Sequence, residues 1–152
     1  MNSEFKQLVF QHCISTLKQR IADMEKDLAD IQESANSEEK SSAGDKYETG
    51  RAMSHISRDM NAKQLFMLKK NYEELLAVNI HANEPYIHKG SIVKLSNQQL
   101  IFIASSLGSI TVNHIKLVVV SVDAPISKLL IGRKNGDTFT LNNQKIKIEI
   151  VV

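Results

Sequence analysis

The sequence places two carboxylates, Asp45 and Glu48, three residues apart and directly after Gly44. If a helix begins near them, this spacing sets both on one face. Such a pair is a hard oxygen site, able to share a Mg²⁺ ion with other ligands and to hold a water by hydrogen bonding. Two isolated carboxylates bind Mg²⁺ weakly, because the ion gives up its own water reluctantly. They become useful where another macromolecule already holds a metal and a phosphate. Spacing alone favours a plainer role, since acidic residues in a first helical turn also complement the helix dipole.

No other group of residues forms an autonomous active site. Cys13 follows His12, but adjacent positions on a helix do not face each other, so the two make no nucleophile–base pair. His81, His88 and His114 are too scattered for a metal-ligand pattern, and with a single cysteine no zinc site can be completed. Gly132-Arg133-Lys134-Asn135-Gly136 follows a predicted helix rather than leading into one, so it is not a phosphate-binding loop. No bound cofactor and no small-molecule substrate are expected.

The elements that must position Asp45 and Glu48 are two long helices. Phe10, Ile14, Leu17, Ile21, Met24, Leu28 and Ile31 recur in steps of four and three, a heptad seam with charged residues outside it. No Gly or Pro interrupts residues 3–34, and Ser3 with Glu4 just inside offers an N-terminal cap. A polar break at 35–52 follows. Beyond it, Met53, Ile56, Met60 and Met67 are read as a second seam, and Leu65, Leu68, Tyr72, Leu75 and Leu76 as a wider stripe towards Val78. Two helices of some 30 residues, each roughly 45 Å long, joined by a short connection pack as an antiparallel coiled-coil hairpin. The acidic pair then sits at its tip.

Composition changes after residue 78. The predicted organisation is a hairpin over 1–78 with its tip at 35–52, a linker at 79–86 containing Pro85, and a β domain over 87–152. β-branched runs at Ile92–Leu95, Leu100–Ala104, Ile115–Val122, Thr138–Leu141 and Ile146–Val152 read as strands. Leu107-Gly108-Ser109 reads as a turn, and Asn142-Asn143 as the turn of a hairpin. Ile126–Ile131 after Pro125 reads as a short helix stopped by Gly132. Phe102, Phe139 and Tyr86 are assigned to the core. The fold class is α+β: an N-terminal antiparallel coiled-coil hairpin, then a small, mainly antiparallel β domain with one short helix.

Charge is unevenly distributed. Residues 23–48 carry nine acids against three lysines, whereas residues 79–152 carry eight Lys and Arg against four acids. Either half could be a solvated exterior, and the split also suits an interaction surface. At 152 residues, 42% apolar and 24% charged, the chain has the composition of a water-soluble protein. No apolar run approaches the roughly 18 residues that span a bilayer. The N-terminus lacks a basic n-region and an apolar h-region, and the lone cysteine fits a reducing compartment, so the expected location is cytoplasmic.

Val120–Leu141 resembles the C-terminal domain of the bacterial Gre transcript-cleavage factors. That family carries a Pro-Ile/Leu helix, then Leu-Ile/Leu-Gly-Lys/Arg, two variable residues, Gly-Asp and a closing β-hairpin. Pro125, Ile126, Leu130, Ile131, Gly132, Arg133, Gly136 and Asp137 match in order. The hairpin followed by an FKBP-like β domain is similar to the family in architecture as well. Gly44, Asp45 and Glu48 match the family's tip pattern, whereas Thr49, Gly50 and Arg51 depart from it, Arg51 placing a base where the family has an acid.

The resemblance implies a non-enzymatic elongation factor. Its hairpin would enter the secondary channel of RNA polymerase, where Asp45 and Glu48 would help hold the second Mg²⁺ and orient the water that cuts backtracked RNA, supported by Gly44 and Arg51. The metal would be shared with the polymerase rather than bound by the chain alone. Pro125, Ile126, Gly132, Arg133, Gly136 and Asp137 are the implied polymerase-docking residues, with the RNA 3′ end as a further contact. Two alternatives stand beside this. The departures at Thr49, Gly50 and Arg51 favour a channel-binding inhibitor that does not stimulate cleavage. A coiled-coil adaptor or FKBP-like chaperone would act without the polymerase, although an FKBP-like fold does not by itself bring isomerase activity.

Overall fold

The computed structural model describes residues 1–39 and 46–152. Two long helices open the chain, α1 (Ser3–Glu39) and α2 (Lys46–Leu76), of 37 and 31 residues. Six strands and one short helix follow: β1 (Ile92–Leu95), β2 (Leu100–Ile103), β3 (Gly108–Val112), β4 (Ile115–Val120), α3 (Pro125–Leu130), β5 (Thr138–Leu141) and β6 (Gln144–Val151). This is the expected α+β organisation. The chain divides into two compact units, one made of residues 1–15 with 71–152, the other of residues 16–70.

In the first unit the strands form one sheet in the order β3-β4-β2-β1-β6-β5. Every neighbouring pair is antiparallel except β2 and β4, which run parallel. The run Gly108–Val112, expected to be a turn at its start, is instead the edge strand β3, paired from Gly108↔Val119 to Val112↔Ile115. Gly108 starts that strand with φ +82. Asn113 and His114, at φ 49 and 64, make the two-residue turn into β4. The Asn142-Asn143 turn forms as expected, at φ 50 and 62, and joins β5 to β6. A bulge in β6 opposite Lys94 and Leu95 shifts the register, so that Leu95 pairs with Ile148 while Lys94 pairs with Ile150.

Alternation along these strands loads both faces with apolar side chains. Val93, Leu95, Ile101, Ile103, Ile146 and Ile148 form one core with Ile87, Phe139 and Leu130, the last from α3. Ile92, Phe102, Ile110, Leu117 and Val119 are buried as well, and they alternate with the first set. The same unit holds the first turns of α1 and the end of α2, which bury Val9, Cys13, Leu75 and Val78. Each such side chain contributes about 1.5–3 kcal/mol by leaving water. Tyr86, assigned to the core from sequence, is 52% exposed. It follows Pro85 in an irregular stretch, and its carbonyl serves His88 while its ring faces solvent.

The helix ends also correct the sequence reading. Asn2, not Ser3, caps α1: its Oδ1 accepts from the Phe5 amide at 3.0 Å, and its Nδ2 donates to Glu4 at 3.2 Å. Near that end Val9 and Cys13 are fully buried, while Phe10 and Ile14 from the expected seam are half-buried. A helix that meets only another helix buries a narrow stripe, and one that meets a larger body buries a wider arc.

Candidate functional site

In sequence, the acidic pair falls where α1 gives way to α2. Gly44 and Asp45 lie outside the described residues. Glu48 falls in the first turn of α2, which begins at Lys46, so the helix start expected beside the pair is where the chain forms it. Three residues on, Arg51 is exposed.

Within residues 16–70 the helices run antiparallel, since Glu25 meets Lys69 at 3.1 Å while Ile31 and Ser54 line the same cavities. That ion pair is half-exposed at both partners and contributes little to stability. The inward stripe of α1, Leu17, Ile21, Met24, Leu28 and Ile31, follows the heptad expected from sequence.

On α2 the inward stripe differs from the expected one. Leu68, Leu65, Asn61, Ser54 and Gly50 are half-buried, whereas Met53, Ile56, Met60 and Met67 are 64%, 58%, 57% and 51% exposed. Leu76, read into the basal stripe, is also 53% exposed. The physical signal was available. Counting back in steps of three and four from Leu75 through Tyr72, Leu68 and Leu65 leads to Asn61 and then Ser54 and Gly50, not to the methionines. Between Gly50 and Asn61, small and polar residues occupy the inside, and the larger apolar side chains the outside.

Two cavities lie along this part of the pair. One of about 110 Å³ is lined by Ile31, Gln32, Ala35, Arg51, Ser54, His55 and Arg58. The other, of about 350 Å³, is lined by Asp30, Ile31, Ser34, Met53, Ser54 and Ser57. Arg51, His55 and Arg58 recur at steps of four and three, so one face of α2 beyond Glu48 is basic.

The second group of candidates, Pro125 to Asp137, builds a compact local structure. Pro125 opens α3, where a missing N–H costs nothing. Ser127 is fully buried and its hydroxyl donates to the Ser121 carbonyl at 2.6 Å, tying α3 to the end of β4. Gly132 stops the helix at φ +83, and its amide donates to Ile87. Arg133 is turned inward: Nε donates to the Leu129 carbonyl at 2.6 Å and Nη1 to the Thr138 carbonyl at 3.2 Å. Asp137 accepts from the Lys134 amide at 2.9 Å, closing the turn in which Gly136 takes φ +92. Arg133 and Asp137 are therefore held by their own chain. Pro125, Gly132 and Gly136 are exposed, and Ile126 is half-buried against the core.

Cys13 is fully buried and burial pushes its thiol up to about 12, so it is a core side chain rather than a nucleophile. His12 beside it is exposed. Among the described residues no group of three or more His, Cys, Asp and Glu gathers as metal ligands, and no helix is long and apolar enough to cross a membrane.

No family model matches the sequence. No curated protein matches it either. Among solved structures, one described as the structure of the transcription factor Gfh1 aligns over 91% of this chain and 92% of its own, at 15% identity and a TM-score of 0.38.

Proposed function

We propose that this chain is a Gre-type factor that acts on RNA polymerase, its helical hairpin carrying Asp45 and Glu48 into the catalytic centre to stimulate cleavage of backtracked RNA. The observation that carries the reading is sequence position: the Gly44-Asp45-x-x-Glu48 pattern runs from between helices of 37 and 31 residues into the first turn of the second. The ordered match from Pro125 to Asp137 supports it, because those residues occupy the turns and helix start that such a pattern specifies. In this reading the polymerase supplies the nucleic acid and one Mg²⁺. Asp45 and Glu48 add oxygen ligands for a second ion and an acceptor for the attacking water. The test is a cleavage assay on stalled elongation complexes with the wild-type protein and an Asp45→Ala/Glu48→Ala double variant. Stimulation by the wild type and its loss in the variant is the expected result. Equal stimulation by both would remove the site assignment, and none by the wild type would remove the function.

A second reading has its own observation. Arg51 and Arg58 line one cavity on the stretch of α2 that follows Glu48 in sequence, and guanidinium groups on that stretch would compete with Mg²⁺ for the carboxylates. A hairpin of that kind occupies the channel without promoting hydrolysis. Run-off transcription separates the two, because an inhibitor lowers yield in proportion to its occupancy while leaving cleavage unchanged.

A further inference from the structure

One side of the unit built from residues 16–70 carries an apolar stripe that stays exposed. Met53, Ile56, Met60 and Met67 recur in steps of three, four and seven, so they stand in one line along α2. The line spans about four turns, roughly 21 Å at 1.5 Å per residue. Single exposed apolar residues are ordinary, but a continuous line of large ones marks a contact surface. Three of the four are methionines, whose flexible and polarisable side chains adapt to the shape of a partner. Phe66, 69% exposed, adds apolar area beside the line.

The helix beside the stripe is acidic. Asp23, Asp27 and Asp30 are exposed and recur in steps of four and three, so they share one face of α1. That face borders the stripe, because Asp30 and Met53 line the same cavity of about 350 Å³ together with Ser34 and Ser57. The smaller cavity shares with it only Ile31 and Ser54, both turned inward, so the two open on opposite sides of the helix pair. Arg51 and Arg58 line the opposite one. Among the described residues none of the three aspartates has a basic partner, whereas Glu25 meets Lys69. Asp59 and Lys63, one helical turn apart along the stripe, offset each other.

We propose that this side of the helix pair binds a basic amphipathic helix of a partner protein. The apolar face of that helix lies along Met53, Ile56, Met60 and Met67, and its Lys or Arg side chains reach Asp23, Asp27 and Asp30. A groove beside two antiparallel helices takes a third helix through anchors at i, i+3 or i+4, and i+7, and the stripe has that spacing. An extended strand, with its period of two, matches neither row. A second copy of this chain is disfavoured by charge, since an isologous contact through this face brings acidic row towards acidic row. The inference uses neither Asp45 nor Glu48, and it stands whether or not the chain stimulates RNA cleavage.

The test is a titration of the full chain against a fluorescein-labelled synthetic peptide, read by anisotropy at two salt concentrations. The peptide has about 18 residues, with Leu at helical i, i+3, i+4 and i+7 spacing and Lys on the flanks. Saturable binding is expected, about tenfold or more tighter than for a scrambled peptide of the same composition, and weaker as salt rises. A peptide with Glu in place of each Lys should bind about tenfold or more weakly. Ile56→Gln with Met60→Gln, both exposed and so neutral for folding, should weaken binding about tenfold. Asp27→Asn with Asp30→Asn should weaken it about threefold and flatten the salt dependence, while Glu25→Gln, outside that row, changes it less than about twofold. Absence of saturable binding overturns the proposal. Equal binding of the scrambled or Glu peptide does the same, as does no loss in either double variant. Sedimentation as a dimer that the Ile56→Gln/Met60→Gln variant abolishes would show that a second copy covers this face instead.

Discussion

Gly90 is the position where one methyl group should be felt most. Its φ is +104, and a Cβ there would lie 2.9 Å from the Asn79 carbonyl oxygen and 3.1 Å from Val78 Cγ1. Neither side can give way freely. The Gly90 amide donates to the Ile103 carbonyl at 2.7 Å, pinning it to β2, and the Asn79 backbone directly follows the buried Val78, two residues beyond α2. Gly90→Ala therefore combines two penalties: about 1–3 kcal/mol for an unfavourable backbone conformation, and a similar ~1–3 kcal/mol for overpacking. Gly136 is the control. Its φ is +92, but a Cβ there meets nothing within 4 Å, so Gly136→Ala carries only the first penalty. Urea unfolding followed by circular dichroism should place Gly90→Ala about 1–3 kcal/mol below Gly136→Ala. Equal losses in the two variants would refute the reasoning, because the close approach of Gly90 to Val78 and Asn79 would then have no energetic consequence.

Other perturbations have equally definite outcomes. Ser127→Ala removes the 2.6 Å bond to the Ser121 carbonyl, which keeps the Ala124 amide as a partner at 3.2 Å, and should lower stability by about 0.5–1.5 kcal/mol in the same assay. Met53→Gln with Ile56→Gln should change stability by no more than about 0.5 kcal/mol per site, since both side chains are exposed, whereas Leu75→Ala should cost about 2–5 kcal/mol. Burial holds the Lys6 amine below its ordinary 10.5, so the unfolded chain binds that proton more tightly and this group makes stability rise as pH climbs towards 10.5. Cys13 acts in the opposite sense: its thiol, raised from 9.0 to about 12, stays protonated in the folded state while the unfolded chain ionises, so stability falls from pH 9 upward. In a Cys13→Ala background, Lys6→Met should be more stable than its parent at neutral pH, and the rise towards pH 10 should disappear from denaturant midpoints.

The fold was largely legible because its strongest signals are local. The uninterrupted heptad from Leu17 to Ile31 sets the phase of α1, and paired asparagines with Pro125 and Gly132 mark the β5–β6 turn and α3. What escaped is set by tertiary packing. Which face of α2 turns inward follows from Leu65, Leu68, Tyr72 and Leu75, and that phase carries Asn61, Ser54 and Gly50 inside against their own hydrophobicity. β3 escaped because Gly108 and Ser109 read as a turn, although its partner β4 follows directly after the two-residue Asn113-His114 turn and Ile110 and Val112 are buried. At the candidate sites, the acidic pair was visible as residue types and spacing. Away from them, the burial of Lys6 was not, because a single lysine on a charged helix gives no sign that it will be covered.

The outward placement of methionines on α2 separates chemical wear from folding. Met53, Met60 and Met67 are each more than half exposed and are the thioethers that peroxide reaches first. Conversion to sulfoxide turns an apolar stripe into a polar, chiral one without opening a cavity in either core. A protein oxidised in this way keeps its melting behaviour while its surface changes character along one helix. Mild oxidant treatment is thus a reagent-only way of rewriting that face, reversible by sulfoxide reductases and requiring no substitution.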